Sequence, residues 1–296
     1  MIRILGTIFA GLLGLAFGSF LNVCLSRWPA GESIVLPRSH CRQCGRTLAW
    51  WENIPLVSWL ALRGRCRTCR AWIGWRYPLV EFSVAILWGY AVWGFLENVF
   101  DPYLRRVVLY DSSLTALGLM CFYWLLVALA VLDAENLWLP DRLTLPGIAF
   151  GFIYTVLRSR FFYELTYDFG PPVPPLSLGV SACLLAILAA AALILLIRWI
   201  YWLIRRHEGI GLGDAKLMAL LAAWLGLPGA LLAFGLGVVL GALVAIVLLA
   251  VPSVRRDSKT WALRKLPLGT FLCIGGIVSS LWGSPILAAY LRWAGL

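Results

Sequence analysis

Long apolar runs separated by short polar connections set the pattern of this chain. A helix needs about 20 mostly apolar residues to cross the hydrocarbon of a bilayer. Runs of that kind extend over roughly Ile4 to Leu25, Leu79 to Phe95, Leu114 to Leu132, Leu143 to Leu157, Leu176 to Ile204, Leu217 to Leu227, Gly229 to Val251 and Leu266 to Leu291. The pattern predicts an all-α polytopic membrane protein with about eight transmembrane helices. The fourth run is short and contains Pro146, and the sixth is parted from the seventh only by the Leu227-Pro228-Gly229 turn. The segment from Ser26 to Tyr77 breaks the pattern, being polar and basic. Three parts are therefore expected: a first transmembrane helix over 1–25, a cytoplasmic cysteine-rich module over 26–78, and a transmembrane bundle over 79–296.

Composition excludes the two alternatives to a membrane protein. Of 296 residues, 61% are apolar and only 13% charged, whereas soluble domains carry about 25% charged residues. Abundant Leu, Ile, Val, Trp and Phe with little charge is the reverse of a disordered chain. A secretory signal peptide is a weak reading of the first run, because no small-residue cleavage site follows it.

The formal net charge is +11, and its distribution gives a topology. With eight alternating crossings, 18 Lys and Arg fall in one set of loops, among them Arg27, Arg42, Arg65, Arg142, Lys216 and Arg255, and 6 in the other. The basic side faces the cytoplasm by the positive-inside tendency, which leaves both termini on the periplasmic side.

Eight cysteines divide into two kinds. Cys24, Cys121, Cys183 and Cys273 stand singly in apolar runs, where a thiol behaves as a small hydrophobe. Cys41, Cys44, Cys66 and Cys69 form two C-x-x-C pairs in the basic segment. In a reducing cytosol such pairs favour a metal over disulfides or free thiols. Two pairs can close a tetrahedron of thiolates around one zinc ion, a structural site with no open position. His40 is an alternative ligand that four thiols make unnecessary. The tryptophans of this segment, Trp50, Trp51, Trp59, Trp72 and Trp75, suit a small core or the headgroup level.

Acidic residues at membrane boundaries are costly, which makes Asp133 and Asp214 informative. Asp133 ends the third run, and Asp214 begins the sixth within Gly209-Ile210-Gly211-Leu212-Gly213-Asp214-Ala215-Lys216. By the span count both lie at the cytoplasmic side at similar depth. Two carboxylates that meet across a bundle can share a proton, one serving as base for water and the other as acid. Gly209, Gly211 and Gly213 let the backbone approach a substrate chain closely, although a flexible turn before a helix reads the same way. A phosphate loop is disfavoured, since no strand precedes these glycines and no Gly-Lys-Ser/Thr follows.

These residues together resemble the type IV prepilin peptidases, bifunctional leader peptidases and N-methyltransferases of pili and type II secretion. The likeness rests on Gly18-Ser19-Phe20-Leu21-Asn22-Val23, the two C-x-x-C pairs with Asn53-Ile54-Pro55 between them, and Arg76-Tyr77-Pro78-Leu79-Val80-Glu81. It continues through Asp133 with Leu139-Pro140-Asp141, the glycine run to Lys216, and Leu266-Pro267-Leu268-Gly269. Ser26 departs from the pattern, which has a larger residue there.

The resemblance implies that Asp133 and Asp214 are the catalytic aspartates, and that Asp141 is recurrent without being catalytic. It implies cleavage after the glycine ending the basic leader of a prepilin or pseudopilin, in the bacterial inner membrane. It also implies methylation of the new N-terminal residue from S-adenosylmethionine, with the cysteine segment associated with that step; Asn22 and Glu81, near the cytoplasmic ends of the first two spans, are either packing hydrogen bonds or part of a pocket for it, and the family motif favours the pocket.

Other features read more plainly. Lys216 suits a helix end in the headgroups better than an inward turn toward Asp214, Glu135 and Asp141 suit an interface better than a role in positioning water or substrate, His207 suits an interface, and the Gly235, Gly237 and Gly241 spacing suits close helix packing. The basic run from Arg255 to Lys265 suits contact with anionic membrane lipids, and nucleic acid is disfavoured because these charges lie in short loops. The competing classes are a transporter, for which no inverted repeat is visible, and a membrane scaffold built around a zinc module.

Overall fold

The computed structural model describes residues 1–99, 105–166, 176–206, 211–250 and 266–295. Among these the chain is helical, and its only extended pairings are two isolated bridges. The long helices are α1 (Ile2–Arg27), α3 (Arg76–Val99), α4 (Arg105–Asn136), α5 (Asp141–Thr166), α6 (Leu176–Arg205), α7 (Leu212–Ala250) and α8 (Leu268–Trp293), with a short α2 (Val57–Ala61) between α1 and α3. Six of them, all but α2 and α5, are long and apolar enough to cross a membrane. The protein is a multi-pass membrane protein.

The chain divides into two compact units, Met1–Ala128 and Leu129–Leu296. In the first, α1 and α3 lie against each other because glycine lets their backbones meet. A Cβ on Gly14 would stand 2.7 Å from Ala85 Cα, and one on Gly18 would stand 2.7 Å from Glu81 Cα. Helix contacts in lipid rely on such small residues, since apolar side chains gain little by leaving lipid for one another. The α4 segment of this unit is pinned by two indoles: Trp88 Nε1 donates to Met120 O at 2.9 Å, and Trp124 Nε1 donates to Phe17 O at 3.3 Å.

In the second unit, α7 is two arms joined at Gly226, whose φ of 69° and ψ of 175° are not helical. A straight helix would carry Gly237 about 36 Å beyond Gly213. Instead both glycines lie near the start of α8. Gly213 packs on Leu139, which also packs on Gly269, while Gly237 packs on Phe271 and Leu272. The chain therefore reverses at Gly226, and the two arms form a hairpin. The second arm runs antiparallel to α8, with Gly237 and Gly241 against Phe271 and Gly275 against Ala233. Gly235 meets nothing and plays no part in that packing.

The turn expected at Leu227-Pro228-Gly229 thus hinges one residue earlier. Pro228 has no N–H and biases Leu227 away from helix, which loosens the helix, but only glycine accepts the backbone angles that complete the reversal. The eight segments expected from the sequence correspond to the six apolar helices, α5, and the second arm of α7.

Any side chain at position 226 occupies a region of backbone space reserved for glycine, at a cost of about 1–3 kcal/mol. Gly226→Ala is expected to lower the thermal unfolding midpoint of the detergent-purified protein. An unchanged midpoint would contradict the hinge.

Candidate functional site

Two groups of polar residues stand out from the apolar framework, one in each unit. The second unit holds the aspartates. Asp133 lies in the last turn of α4 and Asp214 in the first turn of α7, and they are only 6% and 9% exposed. Asp133 Oδ2 accepts from Thr270 N at 2.7 Å and lies 3.3 Å from Thr270 Oγ1, while Gly269 supplies a further amide. Those amides belong to the first turn of α8, where helix N–H groups have no partner of their own. Asp214 Oδ2 accepts from Gly211 N at 3.2 Å, just before its own helix. The two carboxylates are close enough to act on each other electrostatically, and both act on the buried Cys273 thiol one turn along α8.

Leu139 sets the spacing between these two segments. Its Cδ1 would be 3.2 Å from a Cβ on Gly213 and 3.0 Å from one on Gly269. A Cβ on Gly269 would also stand 2.9 Å from Asp133 Oδ2, so glycine is what lets α8 reach the carboxylate. Lys216 does not turn toward Asp214; its Nζ pairs with Asp141 Oδ1 and links the starts of α5 and α7. Glu135 is exposed. Gly211 and Gly213 precede Asp214, while Gly209 and His207 lie outside the described residues, as does the basic run up to Lys265.

The first unit holds the cysteines. Each C-x-x-C closes the same small turn. Gly45 N donates to Cys41 O and Cys41 N to Arg46 O; Arg70 N donates to Cys66 O and Cys66 N to Ala71 O, all at 2.9–3.0 Å. The residue after each second cysteine, Gly45 and Arg70, takes a positive φ of 70° and 59°. The four sulfurs lie within 4.8 Å of one another, with Cys41 and Cys69 Sγ 3.7 Å apart. Zinc–sulfur bonds of about 2.3 Å in a tetrahedron place sulfurs about 3.8 Å apart, so the four residues fit a zinc ion. The amides of Cys69 and Thr68 point at the Cys66 thiol and bring it down to about 6, toward the thiolate a metal requires. His40 Nδ1 lies 3.0 Å from Arg38 O and is not part of the cluster.

Glu52 is a member of this site that the sequence reading passed over. Its carboxylate accepts from Arg46 Nη2 at 2.6 Å and from Ala49 N at 2.8 Å, and its side chain is 1% exposed. The Arg46 guanidinium holds its carboxyl below the usual glutamate range. Arg67, inside the second C-x-x-C, lies 5.1 Å over the Trp51 ring. The segment between the pairs thus ties itself to both. An acid standing among arginines was the available signal. Trp59, Trp72 and Trp75 cluster with ring centroids 4.5 to 5.9 Å apart.

Asn22 and Glu81 are buried where α1 and α3 meet this segment. Asn22 Nδ2 donates to Tyr77 O at 3.0 Å, and Glu81 Oε2 accepts from Leu56 N at 2.8 Å. Leu56 caps α2 with a φ of 57°. Ser26 accepts from Arg76 Nη2 through its hydroxyl and from Arg42 Nη2 through its carbonyl, both at 2.7 Å.

The protein is thus a helical membrane protein that buries an acidic pair in one unit and gathers a metal-ready thiol cluster at the surface of the other. Residues 12–95 match the family described as Bacterial Peptidase A24 N-terminal domain, and residues 120–246 match the type IV leader peptidase family. A prepilin leader peptidase/N-methyltransferase of Pseudomonas putida is 36% identical, over 97% of this chain and 94% of the relative. Proteins of the same name from Pseudomonas aeruginosa and Aeromonas hydrophila are 33% and 32% identical, over 96% and 95% of this chain and 93% and 92% of their own. The chain belongs to the type IV leader peptidase family. No solved structure matches it.

The thiol geometry gives a direct expectation. Protein purified under reducing conditions contains about one zinc ion per chain, and Cys→Ser at position 41, 44, 66 or 69 removes it. Metal analysis checks this, and stoichiometric zinc in all four variants would refute the cluster as its ligand set.

Proposed function

We propose that this protein removes the basic leader peptide from prepilins or pseudopilins with the Asp133–Asp214 pair, then methylates the amine that cleavage exposes. The observation that carries the proposal is the pair itself: two acids 81 positions apart in the sequence, both buried, both held by backbone amides, with Leu139 packed against the glycines beside them. The names of the relatives supply the class of substrate and the methyl transfer. A transporter would also carry buried acids, but family membership favours the peptidase.

The substrate's apolar helix lies among the spans while its leader reaches the cytoplasm, the side to which the basic loops assign both aspartates. The protein sits in the bacterial inner membrane with both termini periplasmic. A water molecule between the carboxylates loses a proton to one of them as its oxygen attacks the scissile carbonyl carbon. The other aspartic acid protonates the carbonyl oxygen. The tetrahedral intermediate then breaks at the C–N bond, and the departing nitrogen receives a proton from the pair. The two groups titrate as a unit through this cycle. Gly211 and Gly213, with Gly209, leave room for an extended peptide beside Asp214.

Residues 26–78 form the methyl-transfer module. Cys41, Cys44, Cys66 and Cys69 would hold a zinc ion there, and four thiolates leave it no open position, so it shapes the segment and takes no part in bond making. S-adenosylmethionine, when bound, supplies the methyl group. Asn22 and Glu81 lie where a new N-terminal amine could be oriented, and their buried acceptor oxygens suit an amine donor.

Asp133→Asn and Asp214→Asn, made separately, are each expected to reduce prepilin cleavage by at least a thousandfold, while expression and methylation of a pre-cleaved substrate persist. Gel-shift and mass analysis of the released leader report the outcome. Normal cleavage by either variant would overturn the proposed pair.

A further inference from the structure

Thr270 is the second residue after the Pro267-Leu268 step that opens α8, and it meets α4 through two separate groups. Its amide donates to Asp133 Oδ2 at 2.7 Å. Its hydroxyl donates to Ala130 O at 2.9 Å and stands 3.3 Å from the same Oδ2. A hydroxyl has one proton, so the shorter bond to Ala130 takes most of it. Ala130 precedes Asp133 by one turn on the same helix.

The hydroxyl therefore anchors the first turn of α8 to α4 beside the acid, and the anchor presents the Thr270 amide to the carboxylate. Both contacts fall on Oδ2. Apolar packing alone does not fix this register. The neighbouring Gly269 contributes its close approach and its amide, but no side-chain bond to α4.

We infer that Thr270 is a positioning residue for the peptidase reaction, its side-chain hydroxyl fixing the rotation of the Asp133 carboxylate by stitching α8 to the Ala130 carbonyl. This rests on the proposed role of the aspartate pair. Thr270 acts through the Asp133 carboxylate, so loss of its hydroxyl should misalign the base or acid without altering how substrate binds. Methyl transfer, assigned to the other unit, should not notice.

The test uses full-length protein in detergent or liposomes with a prepilin substrate. Thr270→Val keeps shape and amide but lacks the hydroxyl, while Thr270→Ser keeps the hydroxyl. The expected result is a kcat about tenfold lower for Thr270→Val with KM within about twofold, and rescue to within about threefold of the parent by Thr270→Ser. Methylation of a pre-cleaved substrate stays at the parent level in both. Parent-like cleavage by Thr270→Val overturns the inference. So does a rise in KM with kcat unchanged, or an equal loss of cleavage and methylation, which would make Thr270 a general stability residue. The reading beneath it fails separately: an Asp133→Asn protein that still cleaves removes the aspartate pair whatever Thr270 does, whereas an inactive Asp133→Asn beside a normal Thr270→Val removes only the clamp.

Discussion

Burying two carboxylates among apolar helices is the constraint around which the second unit is organised. Taking one such ion out of water costs several kcal/mol, even after relaxation. The compensation here comes from backbone amides at helix starts, which would lack partners in any case. The first turn of α8 serves Asp133, and the residue preceding α7 serves Asp214. Because the donors are main-chain groups, the helices themselves must come to the acids. Glycine at 269 allows α8 to arrive, and Gly226 returns the second arm of α7 to pack along it. The same arrangement that makes the acids tolerable brings them within electrostatic reach of each other.

The first unit meets a different difficulty, that of ordering the segment 26–78, which has little regular helix. Its solution is local and polar. Each cysteine pair is closed by backbone hydrogen bonds, and the connecting segment is held by the Glu52–Arg46 pair and by Arg67 over Trp51. The sulfurs then converge at a spacing suited to one metal ion, which would add rigidity beside the Trp59–Trp72–Trp75 cluster. Helices α1 and α3 carry this segment between them, and Glu81 reaches from α3 to its Leu56 amide.

Much of this was legible in the sequence, for definite reasons. Asp133 and Asp214 show because charge in an apolar run is costly and seldom idle. Cys41, Cys44, Cys66 and Cys69 show because paired spacing in a basic segment has few other uses. The reversal in α7 was legible from Pro228, but its hinge was not, since glycine and proline divide the work and only backbone angles reveal how. Asp141–Lys216 and Thr270–Asp133 were out of reach, being contacts across 75 and 137 positions between residue types that carry no pattern. Leu139 is the same case: nothing distinguishes a spacing leucine from a lipid-facing one until the glycines on both sides of it are in place.

The account stands or falls on the two acids being neighbours in the folded protein. Asp133→Cys and Asp214→Cys, combined in a chain whose Cys24, Cys121, Cys183 and Cys273 are alanine, allow that to be read with a short bifunctional thiol reagent in membranes. A protease site inserted at 167–175 separates the halves afterwards. The account predicts that the halves stay covalently joined only when both new cysteines are present. Efficient alkylation of each cysteine alone, with halves that still separate after the bifunctional reagent, would contradict it.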